Sequence, residues 1–167
     1  PAIIRRSSCG VMESLRKNPE FLSREKERES KRKAFEAFLN TEERPLIEEL
    51  GKVGVKVTSV WNLVNSPDFY TPAIPILMKH LKNPYHPKIK EGIVRALTVQ
   101  EARGIAGPPL IEEFLNISSQ NTITEQDLKW VIGNALSVVA DDEVFEEMVE
   151  LVKDRGHGKA REMAVMA

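Results

Sequence analysis

The stretch Pro87–Leu97, P-K-I-K-E-G-I-V-R-A-L, decides how the chain is read. It recurs in altered form over 127–136, D-L-K-W-V-I-G-N-A-L, and over 159–167, K-A-R-E-M-A-V-M-A. Aligned without gaps, the copies superpose Lys90, Lys129 and Arg161. They also superpose Ile89, Leu128 and Ala160, then Ile93, Ile132 and Ala164, then Ala96, Ala135 and Ala167. The offsets are 39 and 32 residues (90 to 129, 129 to 161). Self-similarity at such a period marks helical units that cannot hide their apolar faces singly and do so by stacking. The expected fold is therefore all-α, a solenoid of antiparallel helix pairs.

Each copy is preceded by a second apolar helical pattern. Ile74, Leu77, Met78 and Leu81 follow one another at helical spacing behind Thr71-Pro72, and a turn containing Pro84 and Pro87 leads into 88–97. Helix, turn and helix make one αα-hairpin. The units expected are 71–98, 107–140 and 142–167. The second opens at Gly107-Pro108-Pro109, its long polar loop covers 116–124, and Thr124 is expected to cap its second helix. Asp141 and Asp142 suit the start of the third unit, and 156–158 makes its turn. A degenerate unit over 41–66 starts at Thr41 and ends a helix at Gly51. The alternation of Val53, Val55 and Val57 is read as a connector because no partner strand is in sight. Ahead of it, Ser23 is the expected cap of a charged helix over 23–40, whose Glu27/Lys31 and Glu29/Lys33 pairs support it locally. Phe35, Phe38 and Leu39 are expected to dock its second half, and 1–22 to be loosely ordered. The last helix stops without a polar capping face, which predicts a fragment truncated from a longer array.

The pattern A-I-P-I-L-M-K-H-L, a turn, then K-I-K-E-G-I-V-R-A-L resembles a HEAT or HEAT-like repeat, of the type also found in phycobilisome lyases. Such repeats carry a basic residue early in the second helix, as Lys90, Lys129 and Arg161 stand here. The resemblance covers 72–167 well and 41–65 weakly, and it departs from the pattern in the extra segment 99–106. It implies a right-handed αα superhelix and a binding role for the inner, concave side lined by second helices.

Composition narrows the function. With 41% hydrophobic and 29% charged residues the chain of 167 residues is globular, and long enough to bury a core. A net charge of −1 disfavours non-specific nucleic-acid binding as the main activity, because that needs a positive surplus. The single cysteine, Cys9, lacks the neighbours of a metal or redox site, and its solitude points to a reducing, cytoplasmic setting. No apolar run is long enough for a bilayer, so no membrane partner is expected. Glycine-rich phosphate loops, zinc-type spacing and nucleophile elbows are absent from the sequence, so no catalytic residue, metal or cofactor is assigned.

Two sets of residues remain. Lys90, Lys129 and Arg161 are expected to form an inter-repeat ladder, pairing with acids or backbone carbonyls of the neighbouring unit, since unpaired like charges would repel. Trp130 lies opposite the stripe Leu128, Val131, Ile132, Ala135, Leu136 and Val139. With Asn134, and with Glu91, Arg95 and Glu162 at the matching positions of the other units, it outlines a binding face. Its alternative is to be covered by the 116–124 loop or the charged helix. Trp61, beside Val60, is expected in the core. His86 and His157 occupy the same repeat position, which suits a shared turn role. The leading expectation is a non-catalytic scaffold for a protein partner. A second is a nucleic-acid binder similar to HEAT-like alkylpurine DNA glycosylases, using Lys88, Lys90, Arg95 and Lys129. A third is a lyase-associated repeat protein.

Overall fold

Leu46 and Leu50 on one short helix, and Ile74, Leu77 and Leu81 on another, recur at helical spacing and are sealed from solvent. That spacing is what turns each segment into a helix with one dry side. The computed structural model describes residues 18–64, 66–117 and 123–165, and among them every regular element is helical. The eight α-helices described are α1 (Pro19–Glu42), α2 (Arg44–Lys52), α3 (Ile74–Leu81), α4 (Pro87–Leu97), α5 (Gly107–Asn116), α6 (Ile123–Val139), α7 (Phe145–Lys153) and α8 (Ala160–Ala164). The chain divides into two compact units, Pro1–Leu39 and Asn40–Ala167. The expectations for 1–17 with Cys9, for 118–122 in the polar loop, and for Ala167 lie outside the described residues.

In the larger unit α3 packs against α4, α5 against α6, and α7 against α8, as three successive hairpins. The second helices also pack in sequence, α4 on α6 and α6 on α8. Close approach is enforced at two glycines. A Cβ on Gly92 would stand 2.6 Å from Val60 Cγ1, and one on Gly133 would stand 2.7 Å from the Ala160 carbonyl oxygen. The α4 helix buries Ile89, Gly92, Ile93, Val94, Ala96 and Leu97. At about 1.5–3 kcal/mol for each large aliphatic side chain, this burial far exceeds any local helix preference.

The polar residues at element ends do definite work. Ser59 and Asn62 form a capping box around the 3₁₀ turn Val60–Asn62. Glu43, almost fully buried, accepts hydrogen bonds from Ser59 Oγ (3.2 Å) and Val60 N (3.1 Å) and fastens that turn to the start of α2. Residues 99–106 form a 3₁₀ turn, Gln100–Ala102, and Gly104, at φ +79°, donates its amide to Val139 O at the end of α6.

Several expectations need correction. The charged helix starts at Pro19, four residues before Ser23, because Asn18 Oδ1 accepts from Glu20 N at 2.9 Å. Residues 19–22, expected to be loose, are therefore helical. The helix runs through Thr41 to Glu42, so Thr41 lies inside it and does not start the next helix, which begins at Arg44 with Pro45 in its first turn and runs past Gly51, the expected stop, to Lys52. Phe35 and Phe38 are 45% and 51% exposed and stack on each other at 6.4 Å. Thr124 lies inside α6, which starts at Ile123. Trp61 is only half-buried, with Lys88 Nζ 4.6 Å from its ring centre, so it is not a core residue.

Candidate functional site

The three superposed basic residues are each held, but not alike. Lys90 reaches Glu113 of the next hairpin at 2.6 Å, with the two side chains 14% and 9% exposed. Lys129 donates instead to Ile117 O at 2.9 Å, just past the end of α5 in its own hairpin, with its ammonium 4.7 Å from the centre of the Phe114 ring. Arg161 donates to Val152 O at 3.1 Å, in the last turn of α7, again in its own hairpin. The expectation of an inter-repeat ladder thus fits Lys90 alone. For Lys129 and Arg161 the cation satisfies carbonyls that the end of the preceding helix leaves open. Burial pushes the Lys129 ammonium below the ordinary lysine range, against the opposing pull of Asp154.

Glu113 and Phe114 were not legible as partners, although one signal existed. Glu113 stands three residues after Leu110, on the inward stripe of α5, and an acid at such a position needs a buried cation. His157 places its ring edge-on to Phe114 at 5.0 Å, and its Nε2 lies 3.5 Å from Asp154. Burial and then Lys129 lower its basicity, while Asp154 raises it. His86 instead accepts from Lys88 N at 3.1 Å as the cap of α4. His80, sealed in the core, meets Tyr85 Oη at 2.7 Å through Nδ1.

The stripe of the second helices opposite their apolar one carries the remaining candidates. Trp130 on α6 is 44% exposed. It borders an open groove of about 350 Å³ shared with Asp127, Lys159 and the backbone of Gly156 and Gly158. On α4, Glu91 is gripped by Lys88 and Arg95, both at 2.9 Å. Partial burial raises the Glu91 carboxyl, but the two cations outweigh it and hold the group below the usual carboxylate range. Asn134 is half-buried one turn beyond Trp130, and Glu162 is exposed on α8. Among the described residues no hydrogen bond or ion pair joins Trp130, Asn134 or Glu162 to the Glu91–Arg95 pair. The face is thus a row on successive helices rather than a converged cluster.

Among the described residues no group of three or more His, Cys, Asp and Glu side chains is arranged to hold a metal ion, and no helix is long and apolar enough to cross a membrane. Comparison of the chain with protein-family models, with curated proteins and with solved structures finds no match.

Proposed function

We propose that the chain is a HEAT-like repeat scaffold, its helix pairs stacked as a right-handed αα superhelix, that binds a protein partner through the face bearing Glu91, Arg95, Trp130, Asn134 and Glu162. The observation that carries this reading is the exposure of Trp130, 44%, on the middle one of three second helices packed side by side. A large aromatic left open on a rigid helical row, with polar groups around it, has the makeup of an interface anchor. Rigid neighbours also lower the ordering cost of binding.

A polyanionic partner fits less well. The cations that it would need already have partners: Lys88 and Arg95 with Glu91 on the surface, and Lys90 with Glu113 and Lys129 with Ile117 O in more buried positions. A lyase-associated role has only the repeat pattern behind it.

The test is affinity capture by the wild-type chain and by a Trp130→Ala/Arg95→Glu variant, followed by titration of the purified captured partner. Loss of a hot-spot tryptophan is expected to weaken binding about 30-fold or more. Undiminished binding by a variant with the wild-type circular dichroism spectrum would remove this face from the reading.

A further inference from the structure

One wall of the groove beside Trp130 hangs on a single side chain. That wall is the turn between α7 and α8, where Gly156, His157, Gly158 and Lys159 line the groove. Bonds within the turn shape its backbone. Gly156 N donates to Asp154 Oδ1 at 2.7 Å, His157 N to Asp154 O at 3.3 Å, and Gly158 N to Arg155 O at 3.2 Å. Of residues 154–159 all but His157 are exposed, and its side chain is only 13% exposed. The imidazole, edge-on to Phe114 at 5.0 Å, is the wedge that fixes the turn to the core. A glycine stands on each side of it, and Gly158 is at φ +58°, so the backbone is free to swing once the wedge leaves.

The seat of the wedge disfavours charge. Lys129 Nζ already lies 4.7 Å from the centre of the same Phe114 ring. An imidazolium would be a second cation on one ring, in a place largely closed to water. Every neighbouring element brings charged groups. On α5, Glu112 and Glu113 are paired with Lys82 and Lys90. Beyond Lys129, α6 adds Asp127 across the groove, and α8 adds Arg161, tied to Val152 O. The turn itself carries Arg155, Lys159 and Asp154, whose Oδ2 is 3.5 Å from His157 Nε2. On its far side His157 borders a second groove, lined by Asp142, Glu143, Glu146, Glu147 and Glu150. Burial lowers the basicity of the imidazole most, Lys129 adds to that, and Asp154 opposes without reversing the balance.

We infer that this turn is a pH-sensitive gate on the Trp130 groove: protonation of His157 withdraws its ring from Phe114 and frees the wall. The closed turn binds this proton less readily than the open one. Its stability is therefore complete above the ordinary histidine value, about 6.5, and is lost as pH falls through the lower value of the closed form. A turn anchored by one side chain opens at a small fraction of the cost of unfolding the whole unit. The gate is a property of the groove wall and needs no partner, so its failure would leave the partner-binding reading standing.

The test uses the full chain carrying Trp61→Phe, which leaves Trp130 as the one tryptophan of the original two. Acrylamide quenching of its fluorescence is followed from about pH 7.5 to about pH 5, with the midpoint expected below about 6.5. The quenching constant is expected to rise about twofold, because the indole is 44% exposed while the wall is shut. His157→Phe keeps an uncharged wedge and is expected to hold the quenching at its neutral-pH level throughout. Lys129→Met removes the competing cation and is expected to raise the midpoint by about half a pH unit, while Asp154→Asn lowers it by a similar amount. In the wild-type chain the ring-proton NMR shifts of His157 read the same midpoint. Circular dichroism checks that each variant folds. Flat quenching in the Trp61→Phe chain overturns the inference. So does a step that survives His157→Phe, or a midpoint that neither Lys129→Met nor Asp154→Asn moves.

Discussion

The α1 helix has 24 residues and buries none of them, whereas α4 has 11 and buries six. Their local signals differ accordingly. Along 19–39 the charged side chains pair with neighbours on the same helix, Arg24 with Glu20, Lys31 with Glu27, and Arg32 with both Glu29 and Glu36, while at its far end Glu42 accepts from His86 N at 2.8 Å. Such exposed pairs screen readily and fix no tertiary position. Along α4 the order comes from what surrounds it: α3 and α6 on its flanks, and Val60 pressed against Gly92. Helicity can be specified locally, but a helix acquires a place in a core only through a continuous apolar stripe.

The comparison can be broken at its strongest point by truncating a core side chain. Ile93→Ala leaves a cavity in a fully buried site of α4, and it is expected to lower unfolding free energy by about 2–5 kcal/mol in urea titrations. Phe38→Ala, a larger deletion on α1, is expected to cost less than about 1 kcal/mol in the same measurement. Equal losses would mean that the charged helix is far more deeply engaged than its exposure indicates.

A smaller effect sharpens the same contrast. Gly133→Ala adds one methyl where α6 meets the Ala160 carbonyl, a backbone atom that cannot rotate away. A loss of about 1–3 kcal/mol is expected, with helix content unchanged. A stabilising outcome, as alanine gives on an open helix surface, would show that α6 and α8 are not in close contact.

The smallest effect concerns charge inside the larger unit. Lys129 has a lower affinity for its proton in the folded chain than in the unfolded one, chiefly because burial disfavours the ammonium. The unfolded chain therefore binds more protons between the folded value and the ordinary lysine value, and stability rises with pH across that window. The contribution is complete above the ordinary value and is lost as pH falls through the folded one. Lys129→Met is expected to flatten this rise in urea midpoints measured between about pH 8 and 10.5. Parallel pH profiles for the two proteins would discard the assignment.

Much of the all-helical fold was legible because periodicity is a property of contiguous residues. The hairpin 71–98, the turn at 156–158, and the inward set Leu128, Ile132, Ala135 and Leu136 could all be read from spacing, whereas the stop expected at Gly51 falls inside α2, and the left-handed glycine that follows this helix is Gly54. The start of α1 was misread although a local signal was present: Asn18-Pro19-Glu20 gives a cap, a first-turn proline and an acid in three residues, and it outranks Ser23. Glu43 was illegible for a different reason. Its partners are Ser59 and Val60, across a connector that has no period. The destinations of Lys129 and Arg161 were hidden too, because repeat alignment equates positions but not the atoms they meet. Helical geometry alone put Trp130 opposite the core stripe of α6, with cover by the 116–124 loop or the charged helix as the alternative, and the side chain is 44% exposed.

The segment 99–106, which interrupts the repeat, is tied into the unit that follows it. Ala102 and Ala106 are fully enclosed, and the Gly104 amide closes the far end of α6 through Val139 O. Excising these eight residues to make the array more regular would therefore do more than shorten a linker. It would strip a lid from the very hairpin the edit meant to idealise. An engineer shuffling modules of this chain should cut before residue 99 and carry the segment along with 107–140.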